Sequence, residues 1–381
     1  MRVAFVSVMA GSAWGGSEEL WADAAIRAAG DGHQVFASVY DLGAAPDAWP
    51  PKLRAVAAAG VRVVMRRRPV HWRIDTPLTP LRPRFRPLEA FAPDIVCISQ
   101  GASYDVINFA DCLELRRLLS HSSTPYFIVC QLNGESAPLT PARRREAKVF
   151  FEAASGVAFV AARNLDQGRR HLCSDLPRGL VLRNPVNLAA REPLPWPTGD
   201  GPARLACVAR LEVAYKAHDV LLEALADTAW RGRDWTLELF GSGPDEVYIR
   251  DLIEHYDLGD RVFLRGHVAD IRALWADRHA LVLASHNEGT PLALVEAMVC
   301  GRPSIVTDVA GNAEWVQDGV GGFLAAAAAA NAMRTALERA WTARAQWPEI
   351  GWRAAQTASG QLDPDPGASL LSHLVCAARS Q

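Results

Sequence analysis

Lysine is almost missing from this chain. Lys52, Lys148 and Lys216 are the only three, and arginine supplies the rest of the 40 basic residues. Such a bias often reflects genome composition, yet it makes each surviving lysine worth a reason. Cysteine pairing is missing too. The seven cysteines (Cys97, Cys112, Cys130, Cys173, Cys207, Cys300 and Cys376) include no C-x-x-C pair, their number is odd, and several sit in apolar runs. That pattern argues against a disulfide framework or a cysteine zinc site and points to reduced core thiols in a reducing compartment. No run of about 18 apolar residues occurs, so no transmembrane helix is expected. Residues 1–10 are apolar apart from Arg2 and Ser7, but this run is short for a signal peptide and no clear cleavage site follows it. It reads as a buried first strand, and the protein is expected to be cytoplasmic. H-E-x-x-H, G-x-S-x-G, G-x-G-x-x-G and Walker motifs are all lacking, so neither zinc peptidase chemistry nor dinucleotide binding follows. The pair Asp363 and Asp365 is flanked by prolines in the tail, and no metal site is expected there.

What is present suits a soluble two-domain protein. The chain has 381 residues, 50% hydrophobic and 22% charged, enough apolar material for two cores. Net charge is −2, split as +6 over residues 1–190 and −8 over 191–381. The asymmetry suggests a different partner for each half, or two domains that drifted in surface charge. No nucleic-acid partner is expected.

Short apolar runs alternate with helical spacing. Residues 3–8, 34–40, 61–65, 94–98, 126–130 and 157–160 read as buried parallel strands. Leu20, Trp21, Ala24, Ala25 and Ala28 recur at helical spacing between the first two, closed by Gly30 and Gly32. Residues 184–203 hold five prolines and two glycines and read as a linker. The alternation then restarts, with strands expected at 205–209, 236–240, 262–264, 280–284 and 304–307. Helices are expected at 217–227, 245–256 and 291–300. The fold class is therefore α/β, with two doubly wound parallel-sheet domains. Two such sheets facing each other would form a ligand cleft at their strand ends. The expected boundaries are 1–185, 186–345 and a helical tail over 346–381.

Four segments carry candidate chemistry. Gly11 to Glu19, with Gly15 and Gly16, sits between the first strand and first helix, where glycine backbone and a helix N-terminus suit a phosphate. Arg210 and Lys216 flank a loop at a strand's carboxyl end, where two cations can neutralise a diphosphate. Gly241 and Gly243 follow the next strand and permit a close backbone approach. Ser285 to Glu296 follows the strand at 280–284. Pro291 marks a helix start and Gly301 its end. Glu288 lies in the loop and Glu296 inside the helix, with the backbone of Gly289, Thr290, Pro291 and Leu292 along the stretch between. Carboxylates accept from sugar or ribose hydroxyls.

Taken together, these segments resemble GT-B glycosyltransferases, specifically the retaining family 4. The resemblance is carried by Glu288-Gly289-Thr290-Pro291, Glu296-Ala297-Met298, Gly301-Arg302-Pro303, Gly311-Asn312-Ala313-Glu314 and Gly321-Gly322-Phe323. It implies that Glu288 lies beside a donor sugar and Glu296 holds the ribose. It implies diphosphate contacts for Arg210 and Lys216, a family glycine pair in Gly15 and Gly16, and a base contact at the backbone near Val268. Asn184-Pro185-Val186 resembles the family's entry to the linker, and the tail is expected to cross back onto the first domain. Many relatives carry a His in the stretch that here reads Cys130-Gln131-Leu132-Asn133, where Gln131 or Asn133 would replace it.

The implied reaction is hexosyl transfer with retention from a UDP- or GDP-sugar to a saccharide, glycolipid or natural-product hydroxyl, with no cofactor and no metal. Residues 62–86 carry eight arginines and one acid, Asp75. They read as a mobile basic loop for an anionic acceptor or a peripheral membrane contact. Two alternatives stay open: a nonenzymatic nucleotide-sugar or polysaccharide-binding protein, and a sugar-nucleotide epimerase.

Overall fold

The computed structural model describes residues 1–10, 14–67, 84–134, 139–188, 190–199 and 201–380. They form two units. Unit 1 comprises residues 1–185 and 363–381, and unit 2 comprises residues 186–362.

Unit 1 holds a seven-stranded sheet of β1 (Arg2–Ser7), β2 (Gln34–Tyr40), β3 (Arg62–Arg66), β4 (Ile95–Ala102), β5 (Tyr126–Leu132), β6 (Gly156–Phe159) and β7 (Gly179–Val181). The order is β3-β2-β1-β4-β5-β6-β7, and every pairing is parallel. Successive side chains leave a strand on opposite faces, so the apolar runs feed two cores. Val3, Phe5, Val35, Ala37, Ile95 and Cys97 pack on one face. Ala4, Val6, Phe36, Val96 and Ile98 pack on the other. Each fully buried side chain of this size contributes roughly 1.5–3 kcal/mol.

Unit 2 repeats the design. Its strands are β8 (Ala203–Val208), β9 (Trp235–Phe240), β10 (Val262–Gly266), β11 (Ala280–Leu283), β12 (Ser304–Thr307) and β13 (Gly322–Ala325). They run parallel in the order β10-β9-β8-β11-β12-β13. In both sheets the connections reverse direction beside the first strand, the place where such folds take ligands.

All eleven expected strands are present, with ends shifted by a few residues. β7 and β13 were not foreseen. β7 is a three-residue edge strand, and β13 opens on glycine and runs into an alanine tract with no strand signature. The tail divides. The helix Trp347–Gln361 packs in unit 2 through Trp347, Ile350, Ala354 and Ala358. Only the last helix, Pro366–Arg379, joins unit 1, where Leu370, Leu371 and Leu374 pack with Leu20, Trp21 and Ala24 of the helix Gly16–Gly30. Gly367 permits that approach, since a Cβ there would lie 2.9 Å from the Cβ of Asp23.

The proline-rich linker is not a free tether. Arg302, fully buried, donates to the carbonyls of Trp275 (2.9 Å) and Pro195 (2.8 Å), and the Leu194 amide donates to the Cys300 carbonyl (3.2 Å). The basic segment also differs from expectation. Arg62 and Arg66 belong to β3, and Arg86 opens the helix Arg86–Phe91. Arg66 is buried, donating to the Ser38 carbonyl and hydroxyl at 2.7 Å each. Arg68, Arg73 and Arg82 lie outside the described residues, as do residues 11–13 and Glu135.

Candidate active site

The chain leaves β8 at Arg210, makes one helical turn, Val213–Lys216, and enters the helix His218–Leu225 through Ala217. Lys216, expected to flank a loop with Arg210, closes this turn. The turn is set by Asp245, whose carboxylate accepts from the Val213 amide at 2.7 Å. Ala217 is left-handed at φ 50, a conformation costly for any residue with a Cβ. Its strain places Lys216 at the mouth of β8.

The loop after β11 meets this turn. The amides of His286 and Asn287 donate to the Tyr215 carbonyl at 2.9 and 3.3 Å. Lys216 Nζ lies 2.6 Å from Glu288 Oε1, which also accepts from Ser285 Oγ at 2.7 Å. Glu288 is 4% exposed. At that burial its charge requires a partner, and the ammonium and hydroxyl supply it. Thr307 Oγ1 at the end of β12 donates to the Ser285 carbonyl at 2.7 Å, and the Gly311 amide donates to the Gly289 carbonyl at 2.9 Å. Thus β8, β11 and β12 jointly fix one carboxylate–ammonium pair at their carboxyl ends.

The helix Leu292–Val299 follows. Pro291 precedes it as the cap residue, with ψ 121, rather than occupying its first helical position. Thr290 and Glu296 are buried. At the far end Gly301 takes φ 75, its amide bonds to Met298, and the Arg302 amide bonds to Ala297, closing a Schellman motif.

Other expected residues fall into place with different reasons. Arg210 is partly exposed, with Nη1 3.0 Å from Glu212 Oε2. Gly241 has φ 141, its amide donates to the Gly266 carbonyl at 2.8 Å, and a Cβ there would lie 2.0 Å from the Ala209 carbonyl oxygen. Its missing side chain makes room for the Ala209 carbonyl just past the end of β8. Gly243 stands likewise against the Leu211 carbonyl. Val268 is half-buried after β10 and packs on the unit 2 core. Gly15 is the extended cap residue of the helix Gly16–Gly30 in unit 1, and Gly16 is exposed.

Sequence reasoning missed the roles of Ser285, Thr307, Asp245 and His218. The first two were unremarkable inside an apolar context, while Asp245 follows the Gly241–Gly243 turn and could have been read as a cap. His218 is buried, and neither ring nitrogen has a hydrogen-bond partner. Burial first, then the Lys216 ammonium, lowers its pKa to about 4, with Asp245 opposing. A neutral ring beside Lys216 adds no competing positive charge. Burial likewise pushes the Cys207 thiol on β8 up to about 12, so it is no nucleophile. Among the described residues no group of three or more His, Cys, Asp or Glu could hold a metal ion. No described helix is long and apolar enough to cross a membrane.

Two Rossmann-like units, each built on a parallel sheet, give the chain the GT-B fold. Solved structures agree over the whole length. HepE of Anabaena, in complex with UDP and glucose, superposes with a TM-score of 0.75 at 18% identity, covering 100% of both chains. Sucrose-phosphate synthase of Thermosynechococcus elongatus gives 0.77 at 18% identity, covering 100% of this chain and 99% of that one. Residues 202–343, within unit 2, match the family model described as Glycosyl transferases group 1. N-acetyl-alpha-D-glucosaminyl L-malate synthase of Bacillus anthracis is 37% identical over 91 residues, 24% of each chain. The match to the first curated relatives spans about a fifth to a third of their length.

Proposed function

We propose that the protein is a glycosyltransferase that moves a hexosyl group, with retention and without a metal, from a UDP- or GDP-sugar to a hydroxyl of a saccharide, glycolipid or natural product. The observation that carries this reading is the Lys216–Glu288 pair at 2.6 Å, with Glu288 buried and Lys216 half-buried at the carboxyl ends of β8 and β11. Unit 2 binds the donor, and unit 1 receives the acceptor. Lys216 and Arg210 stabilise the charge that develops on the leaving diphosphate, which is preorganised electrostatic catalysis. A helix N-terminus with its unused amides, next to Gly289 and Thr290, adds to that field. Glu288 orients the sugar, and Glu296 accepts from the ribose hydroxyls. The acceptor hydroxyl attacks from the face the diphosphate leaves, and a diphosphate oxygen takes its proton. In this reading the ligand-free ion pair is a resting state, and the ammonium turns to the diphosphate on binding. The backbone of Gly15 and Gly16 in unit 1 and of Val268 in unit 2 contacts the nucleotide. A cytoplasmic location with peripheral membrane contact belongs to the same proposal.

Calorimetric titration with UDP-, GDP-, ADP- and dTDP-sugars tests the donor class, and a product assay with the bound donor tests transfer. Lys216→Ala is expected to lower turnover at least about 100-fold, the loss that follows removal of one preorganised charge donor, in protein shown to be folded by circular dichroism. Unchanged turnover would remove Lys216 from the mechanism. Donor binding with epimerised sugar and no transfer would replace the transferase reading by an isomerase one.

A further inference from the structure

Unit 1 carries a second polar cluster, at the carboxyl ends of β1 and β2 and beside the first turn of the helix Gly16–Gly30. A cavity of about 10 Å³ is lined by Ser7, Met9, Trp14, Glu18, Tyr40 and Leu42, room for one water or one hydroxyl group. Glu18 is 3% exposed. Its Oε2 accepts from Trp21 Nε1 at 2.9 Å, but its Oε1 has no partner. Ser7 lies near enough to ease the charged form without closing a hydrogen bond of ordinary geometry. A buried, unsatisfied carboxyl oxygen is costly unless something fills its place.

Among the described residues, Arg66 and Lys52 are the cations beside this cavity, and both are engaged by acceptors of unit 1. Arg66 donates to the carbonyls of Ser7 and Ser38 and to the Ser38 hydroxyl, its Nε has no partner, and its guanidinium lies 4.6 Å over the Tyr40 ring. Lys52 is held by Asp23 and Glu19. Tyr40 donates its hydroxyl to Asp111 at 2.9 Å. The clustered carboxylates of Glu18, Glu19 and Asp23 would repel an anion. The half-buried Trp14 is fixed instead by donating Nε1 to Glu19 Oε1 at 2.6 Å and by its ring contact with Trp21 at 5.9 Å. An anchored indole beside one unsatisfied carboxyl oxygen suits a ring with C–H faces and hydroxyl edges.

We infer that Trp14, Glu18 and Ser7 form a subsite in unit 1 for an uncharged sugar, one hydroxyl of which bonds to Glu18 Oε1 while its ring lies against Trp14. Burial raises the Glu18 carboxyl to about 7, and a hydroxyl, both donor and acceptor, satisfies either protonation state. As an acceptor subsite it rests on the transferase reading, and it names a neutral glycoside where the basic segment 62–86 alone suggested an anionic one. The experiment is saturation-transfer NMR on the full-length protein with methyl α-glucopyranoside, methyl β-galactopyranoside, methyl N-acetyl-β-glucosaminide and methyl glucuronide. At least one neutral glycoside is expected to bind and the glucuronide is not. Glu18→Leu is expected to weaken the neutral glycoside at least tenfold, and Trp14→Leu serves as the second variant if the first does not fold. The inference is overturned if no neutral glycoside binds, if the glucuronide binds equally well, or if the folded variants bind as the parent does. Calorimetry with the nucleotide-sugars, run on the same variants, reports on the donor site alone. Failure of the transferase reading would appear there and not in the glycoside spectra.

Discussion

Glu18 shows how a single side chain sets a pH response. Burial is the largest influence on its carboxyl, which titrates at about 7 instead of the usual 4.5. A folded-state pKa above the unfolded one means the native protein binds the extra proton. The stability this contributes is complete below about 4.5 and is lost as pH rises through 7. At pH 8 the protein therefore carries the cost of a buried carboxylate. Glu18→Gln is expected to be more stable than the parent at pH 8, by about 1–3 kcal/mol, with the gain fading towards pH 5. Urea unfolding at the two pH values reads this out, and an equal gain at both would refute it. Asp105, raised to about 7 by burial against the Ala102 and Gly101 amides, keeps part of the parent's slope in the variant. Glu18 was not legible beforehand: it stands with Glu19 in the first turn of a helix, where acids are common, and only its burial sets it apart from a surface acid.

At the scale of elements, the turns at the strand ends decide the geometry. Gly241 read as a close approach to a ligand, and the structure gives it a packing reason: the Ala209 carbonyl fills the place of a side chain. Gly241→Ala is expected to destabilise unit 2 by about 2–4 kcal/mol through strain at φ 141 and overlap with that carbonyl. Because the cause is packing, thermal melts without nucleotide should show the loss in full. A variant that melts like the parent but fails to bind donor would restore the ligand-contact reading. Glu288 and Glu296 were visible as a pair from their flanking Gly289, Pro291 and Gly301, residues whose backbone chemistry marks a helix start and end. That Lys216 would reach Glu288 was not, because 72 residues separate them and the register of β8 on β11 decides the distance.

At the scale of the molecule, the chain returns to unit 1 only with its last helix. Leu370, Leu371 and Leu374 cover the apolar face of the helix Gly16–Gly30, which also carries Glu18. Ending the chain after Leu362 is expected to leave the unit 2 core intact, since Trp347, Ile350 and Ala354 remain, and to expose Leu20 and Trp21. Hydrogen exchange should then lose protection in the helix Gly16–Gly30 but not in the helix Leu292–Val299. Loss in both would mean that the two units do not fold separately.

The amino-acid order by itself determined eleven of the thirteen described strands, the doubled α/β architecture and the stretch Ser285 to Glu296. Those follow from periodicity, turn chemistry and apolar burial, which act over a few residues. Only the tertiary structure decided that Lys216 pairs with Glu288, that Arg66 is a core residue and not a surface cation, and that Gly241 serves packing. It also separated Trp347–Gln361 from the final helix. Each of these depends on which side chains meet across strands far apart in sequence, and on the burial that sets the cost of every charge among them.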